Sequence, residues 1–217
     1  MEDQNEPVQI LYENSEFRVL VKSSRYHSVE GPNPKNPSVE AWLKKNFAES
    51  KNLPQGGLLH RLDYLTSGIM LAAKTPQSFE SLLKEVRESA QKTYLAWVHG
   101  KPAASSFEFY FFSRYEGSKK VTVSLKGKKS ELGRCQWKIS ATQEKRSLLE
   151  VGLLGPGKRH QIRAGLAKLG HPIVGDPLYS MPEESGFFGL HAWRLKLGES
   201  QFEAPIPAAW KIFIAGH

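Results

Sequence analysis

The sequence predicts an α+β protein with a mixed, largely antiparallel central sheet and flanking helices. Two observations lead there. Strand-like and helix-like stretches follow one another in mixed order instead of alternating strictly, which disfavours a parallel βαβ repeat. Several runs also alternate apolar and polar residues with the period of a half-buried strand, whereas only three stretches carry helical spacing. At 217 residues the chain can bury a sizeable core, and one domain over 1–217, with room for lobes, is the expectation.

In chain order, residues 8–12 and Phe17–Lys22 read as two strands joined through Glu13-Asn14-Ser15-Glu16, a plausible hairpin. Residues 31–37 hold three prolines and read as a loop. Ser38 can cap a helix whose apolar positions are Val39, Trp42, Leu43 and Phe47. Leu58-Leu59 and the run from Ile69 to Ala73 look like buried strands around a polar connection. Thr75 and Pro76 form a helix start, and Phe79, Leu82, Leu83 and Val86 give that helix one apolar face. Residues 92–99 alternate as a strand, with Tyr94, Ala96 and Val98 on one side; residues 134–139 and 149–153 do likewise. Gly155-Pro156-Gly157 breaks the chain before a helix over about 159–169, with Gly170 as its stop. Leu190–Leu197 is the last strand expected. No internal repeat or low-complexity tract is visible.

Composition narrows the class. Hydrophobic residues make up 40% and charged residues 24%, ordinary for a globular protein. A single cysteine, Cys135, excludes an intramolecular disulfide and fits a reducing compartment. No apolar run approaches the roughly 20 residues of a membrane helix, and the polar, acidic start Met1-Glu2-Asp3-Gln4-Asn5-Glu6 is not a signal peptide. A cytoplasmic protein, not a membrane protein, is expected. The net charge of +8 and pI near 9.5 favour a polyanionic partner, although a merely basic enzyme would show the same balance. The charge is clustered: Lys119, Lys120, Lys126, Lys128 and Lys129 lie between Arg114 and Arg134, and Lys158-Arg159-His160-Arg163 forms a second group. Lysines among strand residues and glycines suit phosphate contacts, which give affinity without sequence information.

The connection His60-Arg61-Leu62-Asp63-Tyr64-Leu65-Thr66-Ser67-Gly68 holds a carboxylate beside a guanidinium between two rigid strand ends. From the residues alone, Asp63 is either a turn residue or a reactive carboxylate, and Arg61 either a surface charge or a functional one. The histidines at 60, 99, 160, 171 and 191 are scattered and lack the ligand spacing of a zinc site, and Gly155-Pro156-Gly157 is followed by no Gly-Lys-Ser/Thr. No metal and no organic cofactor is expected.

Three segments in order resemble the RluA-type pseudouridine synthases. They are the Asp63 connection, Lys92-Thr93-Tyr94-Leu95-Ala96-Trp97-Val98-His99-Gly100, and Arg159-His160-Gln161-Ile162-Arg163 with the later Gly170-His171-Pro172-Ile173-Val174-Gly175-Asp176-Pro177-Leu178-Tyr179. With Leu190-His191-Ala192-Trp193-Arg194-Leu195 the likeness covers most of the chain after Gly56. It implies a mixed sheet with a catalytic cleft, isomerisation of uridine in rRNA or tRNA, and Asp63 as the catalytic carboxylate. It implies further that Arg163 pairs with Asp63, that Tyr94 stacks on the uracil, and that Ile162 covers the base. On the same resemblance Arg61 would fill the gap left by a flipped uridine; a structural ion pair is the other reading. The lysines at 126, 128 and 129 are the expected phosphate contacts. Two departures stand out. The Asn-Lys-Pro turn common after the family's first strands is replaced by Val21-Lys22-Ser23-Ser24, and Gln161-Ile162-Arg163 continues Ala164-Gly165-Leu166 instead of Val-His-Leu. Gly165 costs about 1 kcal/mol relative to alanine and removes a side chain expected behind the cleft. The chain is too short before Gly56 for the S4 domain many relatives carry, so the catalytic domain is expected to bind RNA unaided, as a monomer with no protein partner implied. A non-catalytic RNA-binding protein or RNA chaperone on the same scaffold is the alternative. A small-molecule glycosidase is a third reading, but it needs a second carboxylate, and the motifs offer only Asp176, assigned to a turn before Pro177.

Overall fold

The computed structural model describes residues 6–31, 33, 36–180 and 187–210. The chain forms two compact units, residues 1–90 with 192–205 and residues 91–191 with 206–217. The architecture is α+β.

In the first unit, strands β1 (Val8–Glu13) and β2 (Phe17–Lys22) form the expected hairpin. Asn14 closes it: its side-chain oxygen accepts from the N–H groups of Glu16 and Phe17, both at 2.8 Å. β2 also pairs with β3 (Ser67–Ala73), from Phe17 opposite Ala73 to Lys22 opposite Gly68. β3 is buried along its whole length, as its unbroken apolar run requires. Gly68 has φ +117, and a Cβ there would lie 2.1 Å from the Ala192 carbonyl oxygen, so only glycine fits. Ala192 belongs to β9 (Leu190–Leu197), the neighbour of β3, which pairs in turn with β10 (Ser200–Glu203).

Helix α1 (Val39–Asn46) starts where Ser38 predicts: the Ser38 hydroxyl accepts from Ala41 N–H at 3.1 Å. Phe47 is its C-cap. Of the triple-proline loop, Pro32, Pro34 and Lys35 lie outside the described residues. Helix α2 (Pro76–Glu88) begins with a reciprocal capping box between Thr75 and Ser78. Its Leu82 and Val86 are buried with Val19, Ile69, Leu71 and Leu195, and Phe79 and Leu83 pack at the margin, so the apolar stripe covers the sheet as expected. Leu58-Leu59 does not form a strand. Leu58 makes one isolated bridge to Ala72 and Leu59 N–H donates to Leu71 O; two positive-φ residues just before them, Gly56 and Gly57, divert the chain before a ladder can grow.

In the second unit the sheet order is β4 (Gln91–His99), β8 (Arg146–Leu153), β7 (Leu132–Gln143), β5 (Ser106–Phe112), β6 (Thr122–Ser124). Across the two units β1–β2, β2–β3, β9–β10, β4–β8, β7–β8, β5–β7 and β5–β6 all pair antiparallel. Tyr94, Val151 and Trp137 stand in one row across three strands. Strand β5 was not anticipated, although Phe107, Phe109 and Phe111 alternate inward along it. Helix α3 spans Gln161–Lys168, beginning two residues later than expected because His160 turns through a left-handed conformation, φ +54. Gly170 (φ +85) sits just beyond its end, as foreseen. Gly165 faces Phe107, whose ring a Cβ would meet at 2.3 Å. The missing side chain therefore makes room for an aromatic ring on β5, rather than opening a space behind a cleft.

Candidate active site

Asp63 lies in a loop of the first unit whose neighbours are almost all fastened. Thr66 N–H donates to the Asp63 carbonyl at 3.1 Å, closing a turn around the carboxylate. Before it, the buried Ser28 hydroxyl accepts from Leu62 N–H at 2.9 Å and donates to Leu62 O at 2.7 Å. After it, Tyr26 N–H donates to Tyr64 O and the Ser24 hydroxyl to Leu65 O. The His27 ring packs on that of Tyr64 with centroids 4.6 Å apart. His60 Nε2 accepts from the backbone N–H of Leu71 in β3, which requires the unprotonated nitrogen to face the strand and ties the loop's start to the sheet. Asp63 itself is half-buried and Arg61 exposed.

The fully buried Lys22, at the end of β2, was missed as a functional residue. Its Nζ donates to three carbonyls, Ser23 O at 2.9 Å, Tyr26 O at 2.8 Å and Tyr64 O at 3.4 Å. Burial pushes its ammonium down to about 7, while the Asp63 carboxylate pulls the other way. The signal was available: the lysine stood in the segment noted as a departure from Asn-Lys-Pro.

The other predicted residues belong to the second unit. Tyr94 is buried on β4, and Lys92, two residues earlier on the same face, is pushed down to about 8 by burial. Ile162 is buried on α3. Arg163 is 4% exposed and makes a two-pronged ion pair with Asp176, Nε to Oδ2 at 2.7 Å and Nη2 to Oδ1 at 2.9 Å. The rings of Tyr179 and Phe188 lie 5.5 and 5.4 Å from its guanidinium carbon. Asp176 also accepts from Leu178 and Tyr179 N–H groups. It is the turn residue the sequence suggested and, in addition, a counter-ion, a role that a lone Asp-Pro pair does not reveal.

Beside α3, Arg159 donates to the Ser118 and Lys119 carbonyls at 2.6 and 2.9 Å, and Tyr179 O–H accepts from Val121 N–H and bonds His160 Nδ1. Arg159 thus holds backbone, although the sequence had grouped it with the basic cluster. Lys119, Lys120, Lys126, Lys128 and Lys129 are all exposed on the segment between β5 and β7. Cys135 is buried, and burial pushes its thiol up to about 12, which disfavours the thiolate. Among the described residues no group of three or more His, Cys, Asp or Glu is placed to hold a metal, and no helix is long and apolar enough to cross a membrane.

Residues 16–168, more than half of the chain, match the family model described as RNA pseudouridylate synthase. The chain is similar to an uncharacterized RNA pseudouridine synthase of Synechocystis, 30% identical over 89% of this chain and 62% of that one. It is also similar to the dual-specificity RNA pseudouridine synthase RluA of Yersinia pestis, 28% identical over 91% of this chain and 95% of the relative. A third relative, the ribosomal large subunit pseudouridine synthase D of Buchnera aphidicola, is 30% identical, and the chain spans 54% of its length. The fold matches that of the human RNA pseudouridylate synthase domain containing 4, with a TM-score of 0.73 over 93% of this chain and 89% of that one, at 20% identity. The chain belongs to the RNA pseudouridine synthase family.

Proposed function

We propose that the protein isomerises particular uridines of rRNA or tRNA to pseudouridine, with Asp63 as the catalytic carboxylate. The observation that carries the reading is the fastening of the Asp63 loop, in which Leu62, Tyr64, Leu65 and Thr66 each make a backbone bond. Such preorganisation is what attack at a sugar carbon needs, since small displacements of a reacting group lower rates steeply.

In the reaction the N1–C1′ bond of uridine breaks and its electron pair leaves with the uracil. Asp63 either bonds C1′ or takes the C2′ proton, and both routes require the ionised form. The uracil turns and its C5 bonds C1′ as the Asp63–C1′ bond breaks or as the proton returns from Asp63 to C2′; the C5 proton then leaves and N1 is protonated. Atoms and electrons balance without oxidant or reductant, so no cofactor is required.

Arg163 keeps the role its motif implies, a cation opposing the desolvation of the carboxylate, and Tyr94 that of the ring stacking on the base. Ile162 gives apolar cover, Arg61 serves the flipped-out strand, and Lys126, Lys128 and Lys129 contact phosphates. On this reading 1–217 is one catalytic domain acting as a monomer in the cytoplasm, where its RNA is found. The glycosidase reading loses support because Asp176, its second carboxylate, is occupied by Arg163 and two backbone N–H groups.

Unmodified rRNA and tRNA transcripts labelled with tritium at uridine C5 test the assignment, because the new C–C bond expels that hydrogen. Wild type should release tritium and Asp63→Asn should not, with RNA affinity within a few-fold. Equal release by both would remove Asp63 from the site, and RNA binding without release by either would favour the chaperone reading.

A further inference from the structure

An exposed aromatic ring gives up the burial that would otherwise place it in a core. Ile10, Leu11, Tyr12, Tyr64 and Leu154 are 41–46% exposed, whereas Tyr115 is 69% and Leu125 74% exposed. Both of the latter fall in the segment between β5 and β7 that carries Lys119, Lys120, Lys126, Lys128 and Lys129. A single exposed apolar residue needs no explanation. The two most exposed large hydrophobic residues among those described, both set in the chain's densest run of lysines, call for one.

Neither side chain is exposed because its backbone is loose. Tyr115 opens a turn in which Ser118 N–H donates to Tyr115 O at 3.2 Å, and Gly117 supplies the positive φ, +77, that a type II turn needs at its third position. Arg159 clamps this turn from both sides, through the Ser113 hydroxyl at 3.2 Å and the Ser118 and Lys119 carbonyls. At Leu125 the chain is held by Lys126 N–H donating to Ser124 Oγ at 3.1 Å. Gly127 lies so near Tyr110 that an added Cβ would come within 2.7 Å of that side chain. The Tyr115 ring therefore stands in solvent on fixed backbone.

The charges around the ring define what it can take. Arg114 precedes it, with Nε donating to Thr122 Oγ1 at 3.2 Å, and the exposed Lys119 and Lys120 follow. Glu116 is the carboxylate of the turn, and Glu131, the next in the chain, accepts from Lys128 N–H at 2.9 Å. A solvent-facing ring with cations on both sides suits a ligand that joins an anionic backbone to flat apolar rings, as a single nucleic-acid strand does. A duplex offers the phosphates but keeps its base faces stacked. Resting on the reading of this segment as the surface that contacts RNA phosphates, we propose that Tyr115 is a stacking platform for an unpaired base of the substrate RNA, outside the uridine that reacts. The substrate is then RNA that is unpaired where it crosses this segment: a loop, a bulge or a single-stranded stretch. Every base has a face to stack, so Tyr115 adds affinity with little choice of base, and its hydroxyl is not needed.

Fluorescence anisotropy at one salt concentration tests this with two labelled probes of about twelve nucleotides, a length within the site sizes of single-strand binders. One is oligoadenylate and the other the same ribose-phosphate backbone without bases, so the two carry equal charge. Wild type should bind oligoadenylate the more tightly. Tyr115→Ala should lose about fivefold or more on oligoadenylate, the scale of one base stack, and stay close to wild type on the abasic probe. Tyr115→Phe should bind both probes like wild type, and all three proteins should melt alike, because the substitution lies on the surface. Equal affinity of wild type for the two probes, or an equal response of both probes to Tyr115→Ala, would overturn the proposal and leave the ring as a contact for a protein partner. A loss in Tyr115→Phe as large as in Tyr115→Ala would overturn it too, since the hydroxyl and not the ring face would then carry the contact. Replacing Lys126, Lys128 and Lys129 together by glutamine should weaken both probes alike. Unchanged affinity for both in that variant would refute the phosphate reading of the segment, whereas weakening there with an unaffected Tyr115→Ala would refute only the role of Tyr115.

Discussion

The Asp63 loop and the lysine-rich segment between β5 and β7 are built on opposite principles. Around Asp63, the residues on both sides make backbone bonds, and a buried lysine and a buried serine each bind more than one of the loop's or turn's groups. Along the basic segment, Leu125 is 74% exposed and the lysine side chains stand in solvent, on backbone held at Ser118, Lys119 and Val121, by the pairing of β6 with β5, and by bonds from Lys126 and Lys128 N–H to Ser124 and Glu131. Bond-making at a sugar carbon tolerates little positional error, whereas neutralising phosphates needs charge in roughly the right place. The carboxylate's loop is tied down by buried side chains, whereas the lysines carry their charge on side chains left in solvent.

The largest effect should come from breaking the ordered side at its centre. Asp63→Asn keeps the shape of the loop but removes the nucleophile or base, and the single-turnover rate should drop by on the order of 10³-fold or more. The melting temperature should stay close to wild type. A variant that lost rate and fold together would mean that the carboxylate, and not its surroundings, holds the loop.

Tyr94 comes next. The residue is 9% exposed, so Tyr94→Ala removes core packing, worth roughly 3–5 kcal/mol in stability, as well as any stacking on a base, worth about 1–3 kcal/mol. Tyr94→Phe keeps the ring and isolates the hydroxyl. If the phenylalanine variant turns over and melts like wild type while alanine is merely unstable, Tyr94 supports the sheet row with Val151 and Trp137 and nothing more.

On the basic side the effect should be graded. Replacing Lys126, Lys128 and Lys129 together by glutamine should lower the slope of log affinity against log salt by about 2, at roughly 0.7 per single-strand phosphate contact. The single-turnover rate at saturating RNA should be unchanged. An unaltered slope moves the RNA path to another face.

How much of this contrast the sequence carried depended on the kind of signal. Ser38 and Thr75 announced their helices because capping is local, and the hairpin at Asn14 for the same reason. Leu58-Leu59 misled because burial alone does not make a ladder: the run is apolar but spends its backbone on one bridge. Phe107, Phe109 and Phe111 alternated plainly, yet β5 was passed over in favour of the charges after it. Asp63 stood out through resemblance, while its supports did not. Ser28 and Lys22 lie 35 and 41 positions before Asp63, and nothing local distinguishes a serine that will bind Leu62 from any loop serine. Asp176 showed its turn and hid its ion pair, because the partner Arg163 is brought to it only by the fold.

The smallest effects give the sharpest test of the two principles, through one pair of matched substitutions. Ser28 and Ser124 each accept a backbone hydrogen bond through Oγ, from Leu62 at 2.9 Å and from Lys126 at 3.1 Å. Ser28 is 4% exposed and also donates to Leu62 O, so alanine there strands a buried donor and a buried acceptor. That costs about 1–3 kcal/mol, and the rate should fall several-fold as the chain before Asp63 loosens. Ser124 sits where water can replace the hydroxyl, and alanine there should change stability by no more than about 0.5 kcal/mol. Its salt slope and rate should match wild type. Chemical melting and single-turnover rates on the two variants measure the contrast directly. Equal losses would mean that the basic segment is held as tightly as the loop, and that its lysines are positioned as deliberately as the carboxylate.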